Sequence, residues 1–279
     1  MDEITLLQGL MVGVLAFGAE YIDSTLGMGY GTTLTPLLML LFGFEPLEVV
    51  PAILLSELFT GFAAGFTHHA VGNVDVRPKT LHPLRMVAGL RRLGVRGALR
   101  QGLPRSLKVA LVIGCCSVVG TVASVVLALR LPPFVLKLSI GLLVTLLGVV
   151  ILASGRVVIP FSWTKLLGLG LVASFNKGFS GGGYGPVVTG GQLLSGVEGL
   201  SAVAITSLAE GLTCLVGVVA YAAVSGWGGF GVAPWLVVGA LCSVPLSALT
   251  VRRMSLGGLR LAIGVGTLAL GIVSLLKVL

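Results

Sequence analysis

Ten long apolar stretches follow one another through this chain, near residues 4–24, 30–44, 47–70, 107–129, 134–153, 164–177, 186–196, 199–225, 233–251 and 256–277. About 20 apolar residues suffice for a helix to cross the hydrocarbon layer of a bilayer. Within lipid every backbone N–H and C=O must be satisfied inside the structure, and a continuous apolar stretch does this as a helix. Charged residues make up only 10% of the 279, against 56% hydrophobic, whereas a soluble domain carries about 25% charged residues. The fold class that follows is all-α integral membrane: a polytopic helical bundle of about 8–10 membrane segments. The second and seventh stretches are short for a span and each follows a glycine cluster. They are expected as half-helices or re-entrant segments, and both ten spans and eight spans plus two hairpins are compatible with the pattern.

The net charge of +8 does not point to nucleic acid, because nine of the 18 cations lie between Arg77 and Lys108. Cations concentrated in one connection between apolar segments mark a cytoplasmic loop. A multi-pass protein of the cell membrane is therefore expected, with loop 72–106 on the cytoplasmic side. Counting outward puts the connections holding Arg156 and Lys165, and Arg252 and Arg253, inside as well. Both termini and the uncharged connection Ser225-Gly226-Trp227-Gly228-Gly229 fall outside, with Arg130 and Lys137 the exceptions to the rule. Met1-Asp2-Glu3 lacks the positive start of a cleavable signal peptide, so the first stretch is expected to remain as a span. Cys115, Cys116, Cys214 and Cys242 all sit in apolar stretches without metal-ligand spacing. They read as packing residues, and no metal or cofactor is expected.

An internal repeat fixes the organisation. Residues 18–36 and 172–189 share a glycine-rich core, and an offset of 154 superimposes Gly27 on Gly181, Gly29-Tyr30-Gly31 on Gly183-Tyr184-Gly185, and Thr35 on Thr189. One residue of slippage later, Glu57 meets Glu210, each acid in the middle of an apolar stretch. The expected halves are 1–153, including the basic loop, and 154–279. Five segments per half, an odd number, make the second repeat inverted with respect to the first. Glycine-interrupted helices at matching positions of inverted repeats point to a transport site near the bilayer midplane.

The residues able to carry chemistry cluster around these interruptions. A helix that starts after a break presents free N–H groups and a partial positive charge. Two such starts meeting in the membrane would form an anion cradle. Its candidate members are Gly29, Tyr30, Gly31, Thr32 and Thr33 in the first half, and Asn176, Lys177, Ser180, Gly183, Tyr184 and Gly185 in the second; tight helix crossing is the other use for the glycines. Glu20 and Asp23 share one face of the first helix, and Asp23 aligns with Lys177. An ion pair between these two would fix the halves together with or without transport. Ionisable groups inside a membrane are costly and mark ion or proton pathways. Glu20, Asp23, Glu57 and Glu210 are thus either proton-coupling groups or structural acids. His68 and His69 stand where the third segment leaves the membrane, and with His82 they read as turn and headgroup residues.

The run Gly27-Met28-Gly29-Tyr30-Gly31-Thr32-Thr33-Leu34-Thr35-Pro36, the later Ser56-Glu57, the exit His68-His69 to Asp75, and Asn176-Lys177 through Pro186 with Thr206-Ser207 resemble the TauE/SafE sulfite exporter family. The resemblance covers nearly the whole chain apart from the basic loop. It implies export or uptake of small sulfur-containing anions, such as sulfite or an organosulfonate. Together with the intramembrane acids as proton carriers, the reading is a secondary transporter working by alternating access with protons as coupling ion, and not an enzyme. The first half departs from the family's commoner Gly-Gly-Gly run. Two other readings stay open from the residues. Gly178-Phe179-Ser180-Gly181-Gly182 fits Gly-x-Ser-x-Gly, which would make the chain an intramembrane serine hydrolase using Ser180 with Lys177 as base. An anion channel is the other. Oligomeric state is not readable.

Overall fold

The computed structural model describes residues 5–27, 29–75, 104–153, 163–194, 199–250 and 256–278. Most of the basic loop with His82, the connection with Arg156, and Arg252 and Arg253 lie outside the described residues. Those described form ten α-helices: α1 Leu6–Leu26, α2 Tyr30–Phe42, α3 Pro46–Ala70, α4 Arg105–Arg130, α5 Pro133–Ala153, α6 Trp163–Ser180, α7 Tyr184–Leu194, α8 Gly199–Ser225, α9 Ala233–Thr250 and α10 Leu256–Val278. A single 3-10 turn, Gly228–Phe230, precedes α9.

Local sequence sets the helix ends. Thr5 and Gln8 form a reciprocal capping box at the start of α1, satisfying two amides that have no partner within the helix. Glu45 and Glu48 do the same for α3, with Pro46 at its first position, where the missing N–H costs nothing. α1 stops at Gly27, whose φ of 70° is left-handed, and α2 starts after Gly29, with φ 134°. A side chain at either position would be strained. The glycine cluster is thus a true break between two helices.

At about 1.5 Å per residue, α2 and α7, with 13 and 11 residues, are too short to cross a layer about 30 Å thick. Six described helices are long and apolar enough to cross: Leu6–Leu26, Pro46–Ala70, Arg105–Arg130, Pro133–Val150, Ser201–Ser225 and Gly228–Thr250. The outer surface is correspondingly apolar, with Leu10 and Val14 of α1, Val119 of α4, Leu146 of α5 and Ile272 of α10 exposed. Buried positions include Glu20, Asp23, Glu57, Lys177 and Glu210. A soluble fold has the opposite arrangement; this chain is a multi-pass membrane protein.

The helices pack through their small residues. α1 lies along α9 in the same direction, Gly9 against Trp235, Gly13 against Gly239 and Tyr21 bonded to Thr250. α4 lies along α6 in the same way, Gly120 against Leu171 and Ser174, Gly178 against Thr121 and Ser124. α3 and α8 run antiparallel, Leu54 beside Gly217 and Gly65 beside Leu208. So do α5 and α10, with Gly141 near Leu275 and Gly148 near Leu268. At these glycines the neighbouring helix, by backbone or side chain, fills the place a Cβ would take, the close small-residue packing usual for helix association in lipid. Exchanging α1–α5 for α6–α10 turns the α1–α9 pairing into the α6–α4 pairing and leaves the α3–α8 and α5–α10 pairings as they are. Of the cysteines, Cys214 is buried and Cys115 and Cys242 are exposed on the apolar exterior; all four are free thiols.

Candidate functional site

The crossing of α3 and α8 positions the central acids. A Cβ on Gly61 would lie 2.7 Å from the carbonyl oxygen of Ser207 and 2.8 Å from the amide of Gly211, so the two backbones touch there. Glu57, one turn before Gly61, and Glu210, next to Gly211, consequently face each other across the crossing. Lys177, near the end of α6, fills the space between them. Its ammonium is ion-paired with Glu57 and lies 2.7 Å from Oε1 of Glu210. All three side chains are almost completely buried.

This arrangement differs from the direct Asp23–Lys177 pair. Asp23 instead uses Oδ1 to accept the backbone N–H of Tyr30 at 3.2 Å. It therefore occupies the positive start of α2 with an anion belonging to the protein, a favourable place for a carboxylate. Glu20, one turn earlier on α1, accepts the Ser24 hydroxyl at 2.5 Å through Oε1, whereas its Oε2 is buried without a hydrogen bond. Oε1 of Glu57 is likewise buried without one.

The two glycine breaks meet. A Cβ on Gly31 would overlap the carbonyl of Gly181, and one on Gly182 would overlap the amide of Thr32. Two threonines lock the seam crosswise. Thr35 of α2 donates to the carbonyl of Ser180 at 2.9 Å, and Thr189 of α7 donates to the carbonyl of Gly27 at 2.7 Å. The tyrosines of the two breaks are anchored to the helices that carry the central glutamates: Tyr30 shares a hydrogen bond with Ser56 at 2.8 Å, and the Tyr184 hydroxyl accepts from Thr213 at 3.2 Å.

Of the residues expected at the site, Gly29, Tyr30, Gly31, Thr32, Lys177, Ser180, Gly183, Tyr184 and Gly185 are buried, while Thr33 and Asn176 are half-buried. Asn176 flanks Gly183, its Cβ 3.3 Å from where a Cβ on that glycine would stand. The Ser180 hydroxyl donates to the carbonyl of Asn176 at 2.9 Å and accepts from the amide of Gly182 at 3.2 Å. Held in this way, with Lys177 fixed between two carboxylates, Ser180 and Lys177 do not form a nucleophile–base pair.

Thr35 and Thr189 were visible in the repeat itself as an aligned pair, but nothing in the sequence gave them a role. His68 is not a headgroup residue. It is fully buried, with Nε2 3.1 Å from the carbonyl of Ser24 and Nδ1 2.9 Å from Nδ2 of Asn73. Asn73 also donates to the carbonyl of Ala248 at 3.2 Å. This network ties the end of α3 to the ends of α1 and α9.

The family model described as Sulfite exporter TauE/SafE matches residues 12–90 and 91–274. A protein of Bacillus subtilis (strain 168), described as "Probable membrane transporter protein YtnM", is 31% identical over 190 residues, which cover 68% of this chain and 54% of that protein. The chain thus spans about half the length of the curated relative it matches. No solved structure matches.

Proposed function

This chain belongs to the sulfite exporter TauE/SafE family, and from that membership we propose that it is a secondary transporter of a small sulfur-containing anion, sulfite or an organosulfonate. Residues 1–153 and 154–279 act as two repeats of opposite orientation, with the termini outside and loop 72–106 in the cytoplasm. The antiparallel packing of α3 on α8 and of α5 on α10 supports this reading, since these are the pairs expected to be counterparts. Alternating access then consists of one repeat rocking against the other around the seam.

The observation that carries the proposal is the contact of the two breaks, Gly31 against Gly181 and Gly182, in a protein whose buried interior holds Lys177. The start of α2 is already taken by Asp23. The anion is therefore assigned to the second-half break, beside Ser180, where the backbone at Gly183-Tyr184-Gly185, the amide of Asn176 and the ammonium of Lys177 supply donors. Gly29, Tyr30, Gly31, Thr32 and Thr33 form the facing wall. Glu57 and Glu210 are the groups proposed to couple transport to protons, with Glu20 and Asp23 behind them.

Purified protein in liposomes should accumulate radiolabelled sulfite or an organosulfonate when a pH gradient is imposed, and Lys177→Met should not. Equal movement in the variant would remove Lys177 from the mechanism.

A further inference from the structure

Lys177 is the only Lys or Arg seen buried among the residues whose burial is described, and two carboxylates already pair with it. Glu57 approaches it from α3 and Glu210 from α8, while Asp23 on α1 lies close enough to interact with both Lys177 and Glu210. Glu20 adds a fourth buried carboxyl group within electrostatic reach of Glu210. The other titratable groups around the ammonium are the Cys214 thiol of α8 and the hydroxyls of Tyr30 on α2 and Tyr184 on α7. α4 meets α6 with the hydroxyls of Thr121 and Ser124, and α5 packs Leu136, Ile140 and Val144 against Phe179. Two carboxylates thus pair with one ammonium and two further carboxyl groups lie within electrostatic reach of the cluster, and no second cation is seen buried among the residues whose burial is described.

An anion arriving at Lys177 cannot simply be added to this cluster. It must displace a carboxylate, and a carboxylate left unpaired in an apolar interior is strongly disfavoured. A proton removes that penalty. We infer that anion binding at Lys177 is an exchange: the incoming anion takes the place of the Glu57 or Glu210 carboxylate on the ammonium, and the released carboxylate binds one proton from water. The charge of the buried cluster is then the same before and after a monovalent anion binds. Oε1 of Glu57, buried and without a hydrogen bond, is an open position for that proton. The empty carrier carries an internal substitute for its cargo, and anion and proton move together because they enter the cluster together. This inference rests on the transport reading above and specifies how its site is regulated.

The probe is methanesulfonate, which stays singly charged over the range where sulfite itself titrates. Its binding to the detergent-purified full chain is measured between about pH 5 and pH 8, where uptake of one proton with the anion weakens apparent affinity about tenfold per pH unit. A pH indicator in weakly buffered solution should report uptake of about one proton per anion bound. Glu57→Gln and Glu210→Gln should each reduce that uptake and flatten the pH dependence. If either variant fails to fold, proton uptake by the unaltered protein still decides the matter. Binding of methanesulfonate with no proton uptake and no pH dependence would overturn the exchange while leaving the transport reading intact. Absence of methanesulfonate binding at every pH, together with absence of sulfonate or sulfite movement in liposomes, would overturn both.

Discussion

The ammonium of Lys177 lies 2.7 Å from the carboxylate of Glu210, and both side chains are shut off from solvent. The same ammonium holds Glu57, so three helices, α3, α6 and α8, converge on one buried charge. Removing one partner of such a pair leaves an uncompensated charge in an apolar medium, which costs far more than the pair contributes when intact.

Lys177→Met should accordingly lower stability by about 3–5 kcal/mol. The measurement is thermal unfolding in detergent. Combining it with Glu57→Gln and Glu210→Gln should restore much of the loss, since neutral amides need no counter-ion. A triple variant no more stable than the single one would show that the charges are not what holds α6 in place.

Gly31→Ala and Gly182→Ala each place a methyl group on the backbone of the opposite break. Overpacking of this kind costs about 1–3 kcal/mol, and here it also spreads the seam. Both variants should lose anion transport in liposomes. Gly18→Ala is the control, because a Cβ there meets nothing within 4 Å, and it should behave like the unaltered protein.

Thr35→Val and Thr189→Val keep the shape of the side chain and remove the hydroxyl that bonds across the seam. Each strands a buried carbonyl, of Ser180 or of Gly27, at a cost of about 1–3 kcal/mol. Unfolding temperatures should fall for both single variants and further for the double. An unchanged temperature in either would mean that its carbonyl finds another donor.

The ion pair of Lys137 with Glu45, at 2.8 Å, is partly exposed. Lys137→Ala should change stability by less than about 1 kcal/mol, measured by the same unfolding assay. A larger loss would reveal a role for this pair in joining α5 to the start of α3.

Topology is tested in cysteine-free protein with single cysteines introduced one at a time. A cysteine at Trp227 should react with an impermeant maleimide in intact cells, and one at Gly72, at the start of the basic loop, only after the cells are opened. The reverse pattern would invert the proposed orientation.

Helices were legible because their signal is local. The stretch 199–225 coincides with α8, and 30–44 lies within two residues of α2. The sixth apolar stretch ends at 177, whereas α6 continues to Ser180, because Asn176 and Lys177 look like an end until their partners are known. Those partners lie on α3 and α8, far away in the chain. Asp23 and Lys177 align in the sequence repeat and have opposite charge, yet an alignment of sequence positions says nothing of contact. The α3–α8 crossing at Gly61 and Gly211 decides which acids reach the ammonium. His68 escaped the sequence for a similar reason: its acceptor, the carbonyl of Ser24, is 44 residues distant. The breaks themselves were legible, since few contexts other than a left-handed turn or a backbone contact call for glycine so repeatedly.

The carboxylate of Asp23 bonded to the amide of Tyr30 has a consequence for direction. At the position where one half of the molecule carries this acid, the other half carries a base. Turning the protein over in the bilayer would therefore not give back the same electrical landscape. In the rocking cycle proposed above, the two end states would then be unequal in free energy, and the resting carrier would populate one of them in preference. A preferred waiting posture would thereby follow from charges that the two proposed halves do not share.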